Sequence, residues 1–286
     1  MEVKVCKVIG FCRGVEQTLE KASLCIEKAR QCNLPSYSIG NLIHNEHVVK
    51  EFEQKGLKII ENPSDSKPGI ALVRAHGIPE KLRRQFIDSG YVLIDSTCAN
   101  IRATVSAMDK ACKEGRKIIV VGIPGHSETL TLLGSQVSFE INKAAQVRDL
   151  EKKISPAEKI GIAVQTTFNE KEFNAIVQEV KSRYRNVVVL NGFCRECMNR
   201  KKYALELAQN CNAVVVVGSS ESANSSALAD YIMAENKNVF FIGGPDDLTP
   251  CLLEKLRAFA TVGVCSGTST PSYIIDSVIK TLEDCT

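Results

Sequence analysis

Short runs of apolar, β-branched residues alternate with amphipathic, charge-rich segments from one end of this 286-residue chain to the other. No other feature limits its fold as much. Apolar runs of this length bounded by turn residues read as strands, and the segments between them carry a helical period. Strands are expected at 3–8, 36–39, 57–60, 70–74, 91–94, 117–122, 137–141, 160–165, 187–190, 213–217, 239–242 and 261–264. Helices are expected at 15–31, 46–55, 79–88, 100–113, 170–184, 197–209, 224–235 and 271–283. Helical segments filling much of the space between the strands give parallel sheets covered by helices, so the fold class is α/β.

No low-complexity linker divides the chain. Instead, an apolar strand runs into a cysteine at three nearly evenly spaced places: Val8-Ile9-Gly10-Phe11-Cys12, Ile94-Asp95-Ser96-Thr97-Cys98 and Leu190-Asn191-Gly192-Phe193-Cys194. Twelve strands shared among three units make about four each, an ordinary small sheet. The expected organisation is three similar α/β units: 13–97, 98–191, and 192–286 together with 1–12.

Composition narrows the function. A net charge of +3 without a basic stripe interleaved with aromatics gives no support for nucleic acid. The segment Met1-Glu2-Val3-Lys4-Val5-Cys6 lacks a secretory n-region and apolar core, and no apolar run is long enough to span a bilayer. A cytoplasmic protein with no membrane partner is therefore expected. Twelve cysteines in a reducing compartment are mostly small buried hydrophobes, with a few available to hold metal.

In open parallel sheets ligands gather beyond the carboxyl ends of the strands. The polar residues of this chain collect at those junctions. They are Gly40-Asn41-Leu42-Ile43-His44-Asn45, Ala75-His76-Gly77, Gly125-His126-Ser127-Glu128, Thr166-Thr167, Gly218 to Ser225, and Ser266-Gly267-Thr268-Ser269. In the last two of these loops small hydroxyl residues, Gly and a following helix N-terminus suit a phosphate; taken singly, such residues are more readily N-caps. Neither a Walker motif nor G-x-G-x-x-G is present. Of four histidines, His44, His76 and His126 stand at strand ends, whereas His47 falls in an expected helix. Glu128 is the one carboxylate beside these histidines at a junction. It reads either as a proton donor with a raised pKa or as a helix N-terminal Glu favoured by the dipole.

Cys12, Cys98 and Cys194 differ from the other cysteines in standing at strand ends before helices. Cys194 and Cys197 form one C-x-x-C, and no second one completes a four-cysteine zinc ribbon. Three thiolates on a cubane leave one iron open to substrate, where four-cysteine ligation leaves none. At this level a zinc hydrolase and a non-catalytic phosphometabolite-binding protein also remain open.

Taken in order, the short motifs resemble one family, the 4-hydroxy-3-methylbut-2-enyl diphosphate reductases of the non-mevalonate isoprenoid pathway. They are Gly10-Phe11-Cys12-Arg13-Gly14-Val15, Ile43-His44-Asn45, Ala75-His76-Gly77, Asp95-Ser96-Thr97-Cys98, Gly125-His126-Ser127-Glu128, Gln165-Thr166-Thr167, Phe193-Cys194 with Asn199-Arg200, Ser222-Ala223-Asn224, and Gly267-Thr268-Ser269-Thr270-Pro271. The resemblance implies a trefoil of three α/β units around a 4Fe–4S cluster held by Cys12, Cys98 and Cys194, with one open iron site. It implies a small diphosphate substrate bound by His44, His76, His126, Thr167, Ser222, Asn224 and Ser269. Glu128, with Thr167 and His126, would manage the proton that lets the substrate hydroxyl leave as water. The products would be isopentenyl and dimethylallyl diphosphate, and the electron donor flavodoxin or ferredoxin. The chain departs from the family at Ala223 (usually Ser), Ala99 (commonly Pro) and Thr129-Leu130-Thr131 (usually Val-Glu-Gly). Cys197 stands where Thr or another small residue is usual and reads as a bystander. These departures admit a divergent paralogue acting on another allylic substrate.

Overall fold

A computed structural model describes residues 1–134 and 138–285. In chain order the elements are β1 (Glu2–Val5), α1 (Arg13–Gln31), β2 (Ser36–Ile39), α2 (Glu46–Gln54), β3 (Leu57–Ile60), β4 (Ile70–Val73), α3 (Glu80–Asp88) and β5 (Val92–Asp95). There follow α4 (Ala99–Lys113), β6 (Arg116–Val121), α5 (Ser127–Leu133), β7 (Ser138–Ile141), α6 (Val147–Leu150), β8 (Lys159–Val164), α7 (Glu170–Arg183) and β9 (Asn186–Val189). The chain ends with α8 (Arg195–Gln209), β10 (Ala213–Val217), α9 (Ala223–Met233), β11 (Val239–Ile242), α10 (Pro250–Arg257), β12 (Thr261–Ser266) and α11 (Ser272–Glu283).

Each expected strand and helix has a counterpart, with α5, α6 and α10 in addition. The strand expected at 3–8 stops at Val5, because its pairing with β12 ends at Val5↔Val264 and the chain then turns away toward Gly10, which has φ +83°. β12 runs on to Ser266 because Val217 of β10 still pairs with it there. The first residue of the strand expected at 137–141 lies outside the described residues.

The strands form three four-stranded sheets, ordered β3-β2-β4-β5, β7-β6-β8-β9 and β11-β10-β12-β1, with every neighbouring pair parallel. All three share one topology. The first strand lies inside, the second pairs on one side of it, and the third and fourth follow on the other; in the last sheet the N-terminal β1 takes the fourth place. The inner strands are buried along their length, as β10 shows with five consecutive buried residues. Fully burying a side chain such as Val contributes roughly 1.5–3 kcal/mol. Helices cover both faces, hence continuous apolar strands rather than alternating ones.

The residues group into two compact units. One holds Met1–Glu16, Ile43–Phe52 and Arg195–Thr286, and with them the β11-β10-β12-β1 sheet; the other holds Gln17–Leu42 and Glu53–Cys194, with the remaining two sheets. In the first, α8 presents Ala204 and Ala208 inward, small residues that let the helix lie close to β10 and β12. In the second, Phe173, Ile176 and Val180 of α7 close one face of the β6–β9 sheet. Among the described residues no helix is long and apolar enough to cross a membrane.

Candidate functional site

The shared topology decides where chemistry can gather. Where connections leave neighbouring strands in opposite directions, a crevice opens at the strands' carboxyl ends. In each sheet that point lies between the first and third strands. The loops after the first strands reach His44, His126 and Ser222 at one common distance, from Ile39, Val121 and Val217. The loops after the third strands carry His76, Thr167 and Ser269. The cysteines follow the fourth strands.

A backbone hydrogen bond ties each cysteine to the third-strand loop of its own sheet. Cys98 N–H donates to Ala75 O at 2.9 Å, Cys194 N–H to Thr166 O at 3.3 Å, and Cys12 N–H to Thr268 O at 3.1 Å. The accepting residues immediately precede His76, Thr167 and Ser269. The topology therefore repeats one junction three times with different side chains.

Within the larger unit, Glu128 is only 2 % exposed although it lies in the first turn of α5. Its Oε1 accepts the Thr166 N–H at 2.8 Å, and its Oε2 accepts the Thr166 hydroxyl at 2.9 Å. Burial raises its pKa to about 7, opposed by the two Thr166 hydrogen bonds and reinforced by the Cys194 charge. Thr167 Oγ1 instead accepts Gln165 Nε2 at 2.9 Å, while Gln165 Oε1 accepts the Ile123 N–H at 2.8 Å. Buried Gln165 thus joins the loops after β6 and β8. His126 caps α5 through Nδ1, which accepts the Glu128 N–H at 3.2 Å, and its ring meets His76 edge to face with centroids 5.5 Å apart.

The same unit places Cys98 and Cys194 within electrostatic reach of each other and of Glu128. Burial pushes the Cys98 thiol up, with the charges of Cys194 and Glu128 adding to it; the Asn100 and Ile101 N–H groups at the start of α4 pull it back. Asn100 Nδ2 donates to Cys194 Sγ at 3.4 Å. Asn191 prolongs the β8–β9 pairing through Val164, bonding both its N–H and its carbonyl at 2.8 Å, and so sets the path into Cys194. Sulfur atoms ringed by N–H donors at a helix start suit thiolate ligands.

In the smaller unit, Ser222 caps α9 by accepting the Ser225 N–H. Ser269 is buried; its hydroxyl donates to His44 O at 3.2 Å and lies 3.4 Å from the Ser222 hydroxyl. Asn224 Nδ2 is buried without a hydrogen-bond partner, a group prepared for an acceptor such as a phosphate oxygen. Cys12 directly precedes α1, and His47 is exposed on α2. Thr166, Gln165, Asn100 and Asn191 were not assigned roles from sequence. The first two stand in a quoted motif, but nothing in a Gln-Thr-Thr run says which side chain turns toward the carboxylate.

Known proteins are similar to this chain along its whole length. A curated relative from Solidesulfovibrio magneticus, named 4-hydroxy-3-methylbut-2-enyl diphosphate reductase, is 32 % identical over 99 % of both chains. One of the same name from Caldanaerobacter subterraneus is 29 % identical, covering 99 % of this chain and 97 % of its own. The solved structure of (E)-4-hydroxy-3-methyl-but-2-enyl diphosphate reductase, described as the terminal enzyme of the non-mevalonate pathway, superposes with TM-score 0.74 at 26 % identity, covering 99 % of this chain and 100 % of that one. The fold is also that of the E-1-hydroxy-2-methyl-but-2-enyl-4-diphosphate reductase from Plasmodium falciparum, with TM-score 0.89 at 23 % identity over 98 % of this chain and 87 % of that one. The family model described as LytB protein matches residues 3–283, nearly all of the three repeated junctions and their sheets, and the chain accordingly belongs to the LytB family.

Proposed function

We propose that this chain is an oxidoreductase that removes the hydroxyl of 4-hydroxy-3-methylbut-2-enyl diphosphate, yielding isopentenyl and dimethylallyl diphosphate. In the balanced reaction the allylic alcohol takes up two electrons and two protons, the C–O bond breaks, the oxygen leaves as water, and a C–H bond forms. Relatives bearing that enzyme's name match the chain from end to end. The observation that carries the reading is Glu128, a buried carboxyl with a pKa near 7, beside the Cys98 and Cys194 thiols.

The family implies an iron–sulfur cofactor, and its finer description is our reading: a 4Fe–4S cluster held by Cys12, Cys98 and Cys194. The donor set fits, since Cys98 and Cys194 are neighbours whose sulfurs face N–H donors. When bound, the cluster supplies single-electron transfer and an open iron site for the substrate oxygen. The chain's own residues do the rest. His44, His76, His126, Ser222, Asn224 and Ser269 hold the diphosphate as N–H and O–H donors. Glu128, kept protonated near neutrality and oriented by Thr166, gives its proton to the departing oxygen. Thr167 assists at the substrate. The donor is a small acidic electron carrier, flavodoxin or ferredoxin, and Cys197 is no ligand. The reading also takes 13–97, 98–191, and 192–286 with 1–12 as the three repeats.

The test is anaerobic turnover of the named substrate with a small-molecule reductant, with iron and sulfide analysis. We expect both products, about four irons per chain, and loss of iron in each of Cys12→Ser, Cys98→Ser and Cys194→Ser but not in Cys197→Ser. A colourless protein carrying zinc, or iron lost on changing Cys197 and kept on changing Cys194, refutes the assignment.

A further inference from the structure

The helix after each cysteine carries a buried polar residue at one fixed offset: Cys12 to Thr18, Cys98 to Thr104 and Cys194 to Arg200. Two of the three are small and neutral, and Thr104 returns its hydroxyl to the Asn100 carbonyl of its own helix at 2.9 Å. The third is a guanidinium only 1 % exposed. Since threonine suffices for two copies of this helix-on-sheet arrangement, the fold by itself does not account for a charge in the third.

The partners of Arg200 sharpen the point. Nη1 donates to Ser266 O at 3.0 Å and Gly267 O at 3.3 Å, and lies 3.4 Å from the Ser266 hydroxyl. Nη2 donates to Gly10 O at 2.8 Å. These acceptors are all neutral, and Nε is buried without a hydrogen-bond partner. Among the described residues Arg200 enters no ion pair. Carbonyl dipoles solvate a buried cation but do not neutralise it, so its cost stands until a negative charge arrives. Both segments that Arg200 grips lead to Cys12: Gly10 precedes it in the chain, and Gly267 precedes Thr268, whose carbonyl accepts the Cys12 N–H. The field of the guanidinium is felt nearby, opposing the effect of burial at the Cys6 and Cys265 thiols.

We propose that Arg200 is a positioning residue whose unpaired charge is the fixed counter-charge to the anionic iron–sulfur group that Cys12 helps to hold, and that it favours the reduced form of that group. The proposal rests on the reading of Cys12 as a ligand. Reduction adds negative charge to a thiolate-bound cluster, and a fixed cation in a low-dielectric interior stabilises the more negative form.

The test is a redox titration of the reconstituted protein, followed by visible and electron paramagnetic resonance spectra. The parent is compared with Arg200→Thr (patterned on Thr18 and Thr104), Arg200→Gln and Arg200→Lys, and thermal melts of the cluster-free chains report folding. The expected result is a cooperative melt for Arg200→Thr with a midpoint potential shifted to more negative values, and a parental midpoint for Arg200→Lys. Equal midpoints in Arg200→Thr and the parent overturn the proposal. So does a Lys variant displaced as far as the Thr variant. It also fails if both neutral variants are unfolded while Arg200→Lys folds, because the charge would then serve the fold. A parent that takes up no iron removes the functional reading, and this proposal with it; iron analysis alone separates that outcome from the others.

Discussion

Glu128 shows how one side chain acquires its chemistry from its surroundings. A carboxyl at the start of a helix is ordinarily ionised, and the two Thr166 hydrogen bonds favour that state, yet burial outweighs them and raises the pKa to about 7. The sign of the linkage follows. Between the ordinary carboxylate range and about 7 the folded chain keeps a proton that the unfolded chain has released, so stability falls as pH rises through that window, by roughly 3 kcal/mol at most. Glu128→Gln removes this dependence, so the melting temperature of the variant relative to the parent should climb between pH 5 and 8. Parallel curves would mean that Glu128 is already ionised in the folded protein. In the proposed role of proton donor it would work only when protonated, so turnover should decline as pH rises past about 7, and Glu128→Gln should lose about 10²–10⁴-fold in rate while retaining the parent's iron content. Single-turnover rates with a small reductant measure both. The carboxylate itself was legible in the sequence, because a Gly-His pair after a strand announces a junction. Its partner was not. β8 ends at Val164, and past a strand's end the alternation of side chains no longer tells which of Thr166 and Thr167 turns inward.

At the scale of elements, the three junctions repeat down to single hydrogen bonds. The residue after each first strand is a glycine whose N–H donates to the end of the second strand: Gly40 to Ile60, Gly122 to Ile141 and Gly218 to Ile242. At Gly40 the backbone requires glycine, with φ +74°; at the other two it follows from the helix entering behind. A Cβ on Gly122 would strike the Thr129 side chain, and one on Gly218 would strike Ser225, two residues at matching places in α5 and α9. Gly122→Ala is therefore expected to cost about 1–3 kcal/mol, and adding Thr129→Ala should recover part of it, with a coupling near 1 kcal/mol in a double-mutant cycle of urea midpoints. Strict additivity would show that the glycine is there for another reason. Most of the strand and helix order was readable because β-branched runs and the longer helical periods differ clearly. The short α5 and α10 were not, since seven or eight residues hold barely two turns of periodicity. The hydrogen bonds from Cys12, Cys98 and Cys194 to the third-strand loops were equally hidden, because they depend on register between strands far apart in the chain.

For the whole molecule, the ordering of the sheets explains why the cysteine spacing could be read at all. β1 pairs with β12 and stands fourth in its sheet, so every sheet ends in a strand that leads to a cysteine. The grouping of residues into two compact units left no mark in composition, because nothing in linker chemistry separates them. Charge is the other property of this scale. The net value of +3 is modest, but in the smaller unit three lysines lie over tyrosine rings. Lys7 and Lys202 lie over the Tyr203 ring at 5.7 and 5.8 Å, and Lys201 lies over Tyr231 at 5.8 Å. Met198, Tyr231 and Met233 are 47, 43 and 42 % exposed. Arg195, Met198 and Lys202 follow one another along a single line of α8, the helix that begins right after Cys194. Lysines and exposed Met and Tyr side chains are the groups that an acidic carrier protein would engage, and the electrostatic part of such an encounter acts chiefly on its rate. Reversing two charges, Lys201→Glu with Lys202→Glu, should slow reduction by flavodoxin or ferredoxin about tenfold or more at low ionic strength and flatten its dependence on salt. Reduction by dithionite should be unchanged, because a small anion needs no docking face. If the protein donor reduces the double variant as fast as the parent, with the same salt dependence, electrons enter over a different surface and the cations of α8 serve only to keep that helix in water.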